Sequence, residues 1–211
     1  MKNTLSSMTV ASAMLATAPL AAQATFSPVT PPATGAENVF IEQIGNENET
    51  RVEQENDGQT AEIRQDGTGN SAEITQEGDG GHIAVVSQTG DGNIVGLGQQ
   101  GTGLASALVV QEGNGNTVLL SQNSQSSLTG ANLAEVAQTG AANTLNLVQD
   151  GADNQARLIQ SGDNNTLTAT QINSGNRLEW VQNGSGLTDL EITQSGGAEA
   201  LVIQSNGGGG G

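Results

Sequence analysis

The chain contains no cysteine and no tyrosine, and it has one tryptophan, two phenylalanines and one histidine. Without cysteine there is no disulfide framework and no thiolate chemistry, which suits an exported protein that does without disulfides. A lone histidine, His82, cannot build a metal site that needs several ligands. Lysine occurs once, at Lys2, and no proline follows Pro32. Apolar residues make up 34% and aromatics 1%, too few for an ordinary globular core. On composition alone this resembles an acidic disordered chain. No apolar run has the length and composition of a membrane span.

What the chain does have is glycine, acid and a period. There are 30 Gly and 22 Asp plus Glu. From Asn143 to Gln182 it reads NTLNLVQDGAD, NQARLIQSGDN, NTLTATQINSG, NRLEWVQ, in segments of about eleven residues. Each begins with Asn, alternates to Gln, and continues into a four-residue, Gly-containing turn. A fixed period marks a repeat architecture. Its Gln anchors are Gln43, Gln54, Gln65, Gln76, Gln88, Gln99, Gln111, Gln122, Gln138, Gln149, Gln160, Gln171, Gln182, Gln194 and Gln204. They define fifteen half-repeats over residues 37–206. Three single-residue insertions fall at Gly80–Gly81, Gly101–Ala105 and Asn183–Thr188. A wider gap before Gln138 predicts a protruding loop over Asn123–Ala131.

Residues 1–24 have the form of a secretory signal peptide. Lys2 is the basic start, Val10–Ala22 is mostly small and apolar, and Ala22-Gln23-Ala24 fits the cleavage pattern. Cleavage there removes the only Lys and leaves four Arg against 22 acidic residues, a net charge of −18. That balance disfavours nucleic acid as a partner. Residues 25–36, with Pro28, Pro31 and Pro32, are expected to be a flexible segment, either a plain linker or an address for a secretion channel. Residues 207–211 are a Gly tail.

Counting back from each Gln, the residue two before is apolar in all fifteen half-repeats, and the residue four before in fourteen. Strict alternation puts these, the Gln, and the residue six before it on one strand face. The inner face therefore reads Asn, apolar, apolar, Gln, with Asn48, Asn70, Asn93, Asn116, Asn143, Asn154, Asn165 and Asn176 at its start. A buried amide without a partner costs about 1–3 kcal/mol. Identical amides stacked about 4.8 Å apart satisfy one another. Seven-residue strands joined by Gly turns are β-arches, and stacked arches make an all-β solenoid.

Charge decides the number of strands per rung. With two, residues 22 apart stack, giving Arg64 over Glu42, Arg51 under Glu73, Arg157 between Glu135 and Glu179, and Arg177 against Glu199. Every arginine of the repeats gains an acidic neighbour, and no strand acid stacks on another. With three strands per rung, only Arg157 gains one, Glu191. The expectation is two strands per rung and about seven and a half rungs, roughly 36 Å of stack at ~4.8 Å each.

A solenoid has two open ends that soluble examples cap or protect with Pro, Lys or bulges. No Pro or Lys occurs in these repeats, so their ends are expected to pair with other copies. The motif [N/S]-x5-Q followed by x-G-x-x resembles the curlin repeat of curli, the extracellular amyloid fibres of bacterial biofilms. Good matches are Asn70–Gln76, Asn93–Gln99, Asn116–Gln122 and Asn143–Gln182. The resemblance implies a secreted, cell-surface fibre subunit for adhesion and biofilm matrix. It also implies an outer-membrane secretion pore and a nucleator subunit as partners. Main and nucleating subunit both remain open, because the half-repeats outnumber the roughly ten of the family, aromatics are nearly absent, and Gln59, Gly81, His82, Leu104, Ser127 and Leu187 stand at or near Asn positions. The other class is a monomeric secreted solenoid, an adhesin or ice binder. Thr60, Thr117, Thr144 and Thr166 share an outer position, but Ile83, Ser106, Leu133 and Arg177 interrupt it.

Other signals are weaker than their ordinary explanations. Trp180 falls on the inner face beside small Ala169 in the pattern, so it fills core. Gly78-Asp79-Gly80-Gly81 lacks the strand–helix context of a phosphate loop. Asn48-Glu49-Thr50 matches a three-residue glycosylation acceptor that arises readily by chance. No nucleophile–base pair suggests catalysis. No cofactor, metal or catalytic residue is expected.

Overall fold

The computed structural model describes residues 38–125 and 130–206. The expected signal peptide, Pro-containing segment and Gly tail, with Glu37, lie outside the described residues. Fifteen strands follow one another. They are β1 (Asn38–Asn46), β2 (Glu49–Gln54), β3 (Thr60–Thr68), β4 (Ser71–Glu77), β5 (Ile83–Thr89), β6 (Ile94–Gly101), β7 (Ala105–Asn114) and β8 (Thr117–Ser124). Then come β9 (Asn132–Ala141), β10 (Thr144–Gly151), β11 (Gln155–Ser161), β12 (Thr166–Ile172), β13 (Arg177–Asn183), β14 (Leu190–Ser195) and β15 (Glu199–Ser205). Alternation with period two, and a Gly-bearing turn after each Gln, is what makes these segments strands rather than helices.

Odd-numbered strands form an eight-stranded sheet and even-numbered strands a seven-stranded sheet. All the pairings are parallel. This is a β-solenoid with two strands per rung, each rung one arch. Register is set by the ladder. Gln43 stands opposite Gln65, Gln65 opposite Gln88, and Gln149 opposite both Gln122 and Gln171. A slip of one residue would turn every inner side chain outward.

The core lies between the sheets. Ile63, Ile74, Leu145, Leu147, Leu158 and Trp180 are all fully buried. Trp180 faces Leu158 and Val202 on its neighbouring strands and is core filling. Aliphatic pairs across one narrow seam replace the bulk core that the composition could not supply. On the outer faces, strand acids stand beside Arg, Thr, Ser, Asn, Gln or apolar residues. Glu73 faces Arg51, Glu53 faces Thr75, and Glu135 faces Arg157 and Leu108.

Extra residues are absorbed in arches, at 78–82, 102–104 and 184–189. The expected loop over Asn123–Ala131 is shorter at its start. Asn123 and Ser124 belong to β8, where they pair with Asp150 and Gly151 of β10. A parallel neighbour with matching backbone groups extends the strand past its Gln. Within the remaining loop, residues 126–129 lie outside the described residues.

Candidate assembly interface

Two amide ladders run the length of the stack. In the eight-stranded sheet each Gln Nε2 donates to the next Gln Oε1, from Gln43 through Gln65, Gln88, Gln111, Gln138, Gln160 and Gln182 to Gln204, at 2.7–2.9 Å. In the other sheet the series runs Gln54, Gln76, Gln99, Gln122, Gln149, Gln171, Gln194, again at 2.7–2.9 Å. The second proton of each inner Nε2 crosses to the opposite sheet. Gln149 donates to the Leu133 carbonyl at 3.0 Å, Gln171 to Gln155 at 3.0 Å and Gln160 to Thr144 at 3.1 Å. One side chain thus fixes rung-to-rung register and ties the two sheets together.

Asparagines hold the arches. Asn70 Oδ1 accepts the Asn93 backbone N–H at 3.0 Å, and Asn93 Oδ1 accepts that of Asn116 at 3.1 Å. Asn48 starts this column, accepting from Asn70 N–H at 3.0 Å, and Asn143 and Asn165 continue it. Each Nδ2 of this column donates to a turn glycine carbonyl. Asn116 reaches Gly140 at 2.9 Å and Asn143 reaches Gly162 at 2.7 Å. The column on the other side is mixed: Gln59, His82 and Ala105 precede Asn132, Asn154 and Asn176. Asn132 is buried and its Oδ1 accepts the Asn154 N–H at 3.1 Å. The sequence pattern places Ser127 near this position because of the wide gap, whereas counting six back from Gln138 finds Asn132.

His82 substitutes for an asparagine. Its Nδ1 accepts the Ala105 N–H at 3.2 Å, and its Nε2 lies 3.0 Å from the Glu77 carbonyl. That fixes the neutral tautomer with the proton on Nε2. Burial holds its pKa below the ordinary histidine value, against smaller opposing contributions from the Glu77 and Gly101 backbone groups. Gln59 fits less well: its Oε1 is buried without a partner. Among the described residues no group of three or more His, Cys, Asp or Glu could hold a metal ion, and no helix is long and apolar enough to cross a membrane.

Ion pairs decorate the outer faces. Arg64 lies 3.6 Å from Glu42, and Arg157 lies 3.6 Å from Glu135 and 3.1 Å from Glu179. Arg51 pairs with Glu73. Arg177 departs from expectation. It stands opposite Glu199 in register, yet its guanidinium turns to Asp153, 3.5 Å from the carboxylate and 3.1 Å from the backbone carbonyl. Asp153 sits in a turn at φ +55 and offers two acceptors, where Glu199 offers only a carboxylate on a terminal strand. Same-strand partners two residues away also went unread: Glu53 for Arg51 and Glu62 for Arg64. Phe40 adds a ring 5.4 Å from the Arg64 guanidinium.

Among the described residues, the terminal strands lack an outer neighbour. Ile41 of β1 is 43% exposed where Ile63, next in its column, is fully buried. Most exposed large apolar side chains sit on β1, β14 and β15: Val39, Phe40, Ile41, Ile44, Leu190, Leu201 and Ile203. The ladder also has a direction. Gln43 and Gln54 start their series with an Oε1 that receives no Gln donor among the described residues. Gln194 and Gln204 end theirs without a Gln acceptor.

The curlin associated repeat matches residues 57–84 and 140–172, stretches that hold β3, β4, β10, β11 and β12. These two stretches are similar to curlin repeats. No curated protein and no solved structure matches. The curlin-repeat family is one of structural subunits rather than enzymes, and the thirteen matching strand pairs extend the same rung pattern across the unmatched stretches. The outer threonine row is short here: Thr117, Thr144 and Thr166 are adjacent, but Ile94 and Ser71 precede them and Thr60 lies on the other sheet.

Proposed function

We propose that this chain is a secreted structural subunit that stacks end to end into extracellular curli-type amyloid fibres, serving adhesion and biofilm matrix. The observation that carries the reading is the complementarity of the two ends. Among the described residues, one end offers Gln acceptors, unpaired strand edges and exposed Val39, Phe40 and Ile41. The other offers Gln donors, unpaired edges and exposed Leu190, Leu201 and Ile203. Interior rungs already join through the same groups. An interface that is not self-complementary and does not close gives an open filament. A nucleator subunit and an outer-membrane secretion pore are the partners proposed with it, following the repeat family. The amide ladders act as structural templates.

The test is to incubate purified chain at micromolar concentration with and without preformed seeds, following turbidity and negative-stain images. Fibres that elongate from seeds support the reading. A β-rich monomer that stays dispersed for weeks with salt and seeds contradicts it and favours a monomeric solenoid.

A further inference from the structure

The described residues hold fifteen strands, an odd number, and this bears on how two copies can meet. At one end β1 and β2 form a complete rung. At the other, β15 extends the eight-stranded sheet one strand beyond β14. The next vacant strand position is therefore in the seven-stranded sheet, beside β14. Resting on the fibre reading, we propose that successive copies join with their sheets exchanged. β1 of the incoming copy pairs with β14, its β2 pairs with β15, and each copy is turned by half a revolution about the fibre axis relative to the last.

Four features of the ends carry this. First, stacking without exchange puts β1 on β15 and leaves a gap one strand wide between β14 and the incoming β2. Two backbone edges would then face a slot with no partner. Exchange pairs both strands. Second, an arch reverses the chain, so the two sheets run in opposite directions. A half turn carries each sheet onto the other with strand direction kept, and the parallel pairing continues. Third, aligning the ladders brings Gln194 Nε2 to the incoming Gln43 acceptor, exchanging its longer bond to the Ala198 carbonyl (3.2 Å) while keeping that to Arg177 (2.8 Å), and brings the free proton of Gln204 Nε2 to Gln54. Fourth, the inner columns remain apolar except at Thr50, which meets Ala200. Val39 meets Leu190, Ile41 meets Ile192 and Val52 meets Val202, closing side chains that are partly exposed in the single copy. One like-charge pair forms, Glu49 against Glu199, at the start of the second strand pair.

The geometry gives two readouts. Outer positions three before each Gln face each other across a joint, within disulfide reach, since paired strands about 4.8 Å apart fall inside the ~4.4–6.8 Å Cα range. The chain has no native cysteine. In fibres of F40C/E191C, mild oxidation should give a ladder of covalent multimers on a denaturing gel. In fibres of F40C/L201C the chain should stay monomeric. Helical reconstruction should show a twist near half a turn per subunit, in addition to the intrinsic twist of the stack. Deleting one half-repeat, residues 154–164, leaves an even number of strands, and the half turn should vanish. Fibres that cross-link through positions 40 and 201, or keep the same twist in the deletion variant, overturn sheet exchange while leaving the fibre reading intact. Wild-type chain that forms no fibre overturns both.

Discussion

Gly113 and Gly115 lie two residues apart in one arch, and the account gives them very different tolerances for a methyl group. Gly113 has φ +112, and a Cβ built on it would lie 2.1 Å from the Gly140 carbonyl oxygen of the next rung. Gly115 has φ +64, and a Cβ there meets nothing within 4 Å. The same contrast recurs along the stack. Gly45, Gly67, Gly90, Gly113, Gly140, Gly162 and Gly184 form a strict glycine column, whereas Ala142 occupies the position equivalent to Gly115 at φ 56. In Gly113→Ala the Gly140 carbonyl must retreat by about 1.3 Å, from 2.1 to 3.4 Å, to restore ordinary contact. That carbonyl accepts from buried Asn116 Nδ2 at 2.9 Å. Losing that bond costs about 1–3 kcal/mol, and the backbone strain a further ~1–3 kcal/mol. The expected loss is about 3–5 kcal/mol. For Gly115→Ala the left-handed conformation costs about 1–2 kcal/mol, offset by roughly 0.4–1 kcal/mol from a stiffer unfolded chain. With a urea m-value of about 2 kcal/mol/M, circular dichroism should show the midpoint of Gly113→Ala falling by roughly 1.5–2.5 M. Gly115→Ala should fall by about 0.5 M. Equal shifts in the two variants would refute the steric argument.

Three further outcomes follow from the ladders and the charge. Gln149→Leu leaves Gln171 Oε1 without its donor and the Leu133 carbonyl without its cross-sheet bond, so it should cost about 2–4 kcal/mol, read as a urea midpoint; a neutral effect would show that the ladder is decoration. His82 is held neutral by burial, so its folded pKa lies below its unfolded value and the unfolded chain binds the proton more tightly. Its contribution should be complete above the unfolded pKa and be lost as pH falls below about 6.5, and His82→Asn should flatten that part of the stability profile; an unchanged slope would contradict the assignment. A chain of net charge −17 repels its own copies, so seeded elongation should quicken several-fold between about 0.01 and 0.15 M salt, as the Debye length falls from ~30 to ~8 Å. A rate independent of salt would contradict this.

The fold was legible because period-two alternation and a conserved spacing along one chain encode both strand face and register. Arginine positions chose two strands per rung over three, and Arg64, Arg51 and Arg157 lie against the partners that spacing placed 22 residues away. What could not be read depends on neighbours that spacing does not encode. The second Nε2 bond of Gln149 crosses to Leu133 through the arch, not along the column. Gly113 looks like a turn glycine in sequence, and only the next rung reveals why a Cβ fails there. Arg177 chose Asp153 because a turn with φ +55 presents a carbonyl beside its carboxylate, a local geometry hidden in the pattern. Asn132 was obscured by the wide gap before Gln138.

Fifteen strands stacked two to a rung and continued from copy to copy give a fibre of fixed mass per length. Mass per unit length of single fibrils, from dark-field scanning transmission microscopy, tests this stacking most directly. The expected value is one chain of 21.2 kDa, less any cleaved leader, for every seven and a half rungs, about 36 Å at ~4.8 Å per rung. One chain per roughly 24 Å, as three strands per rung would give at the same spacing, would contradict it.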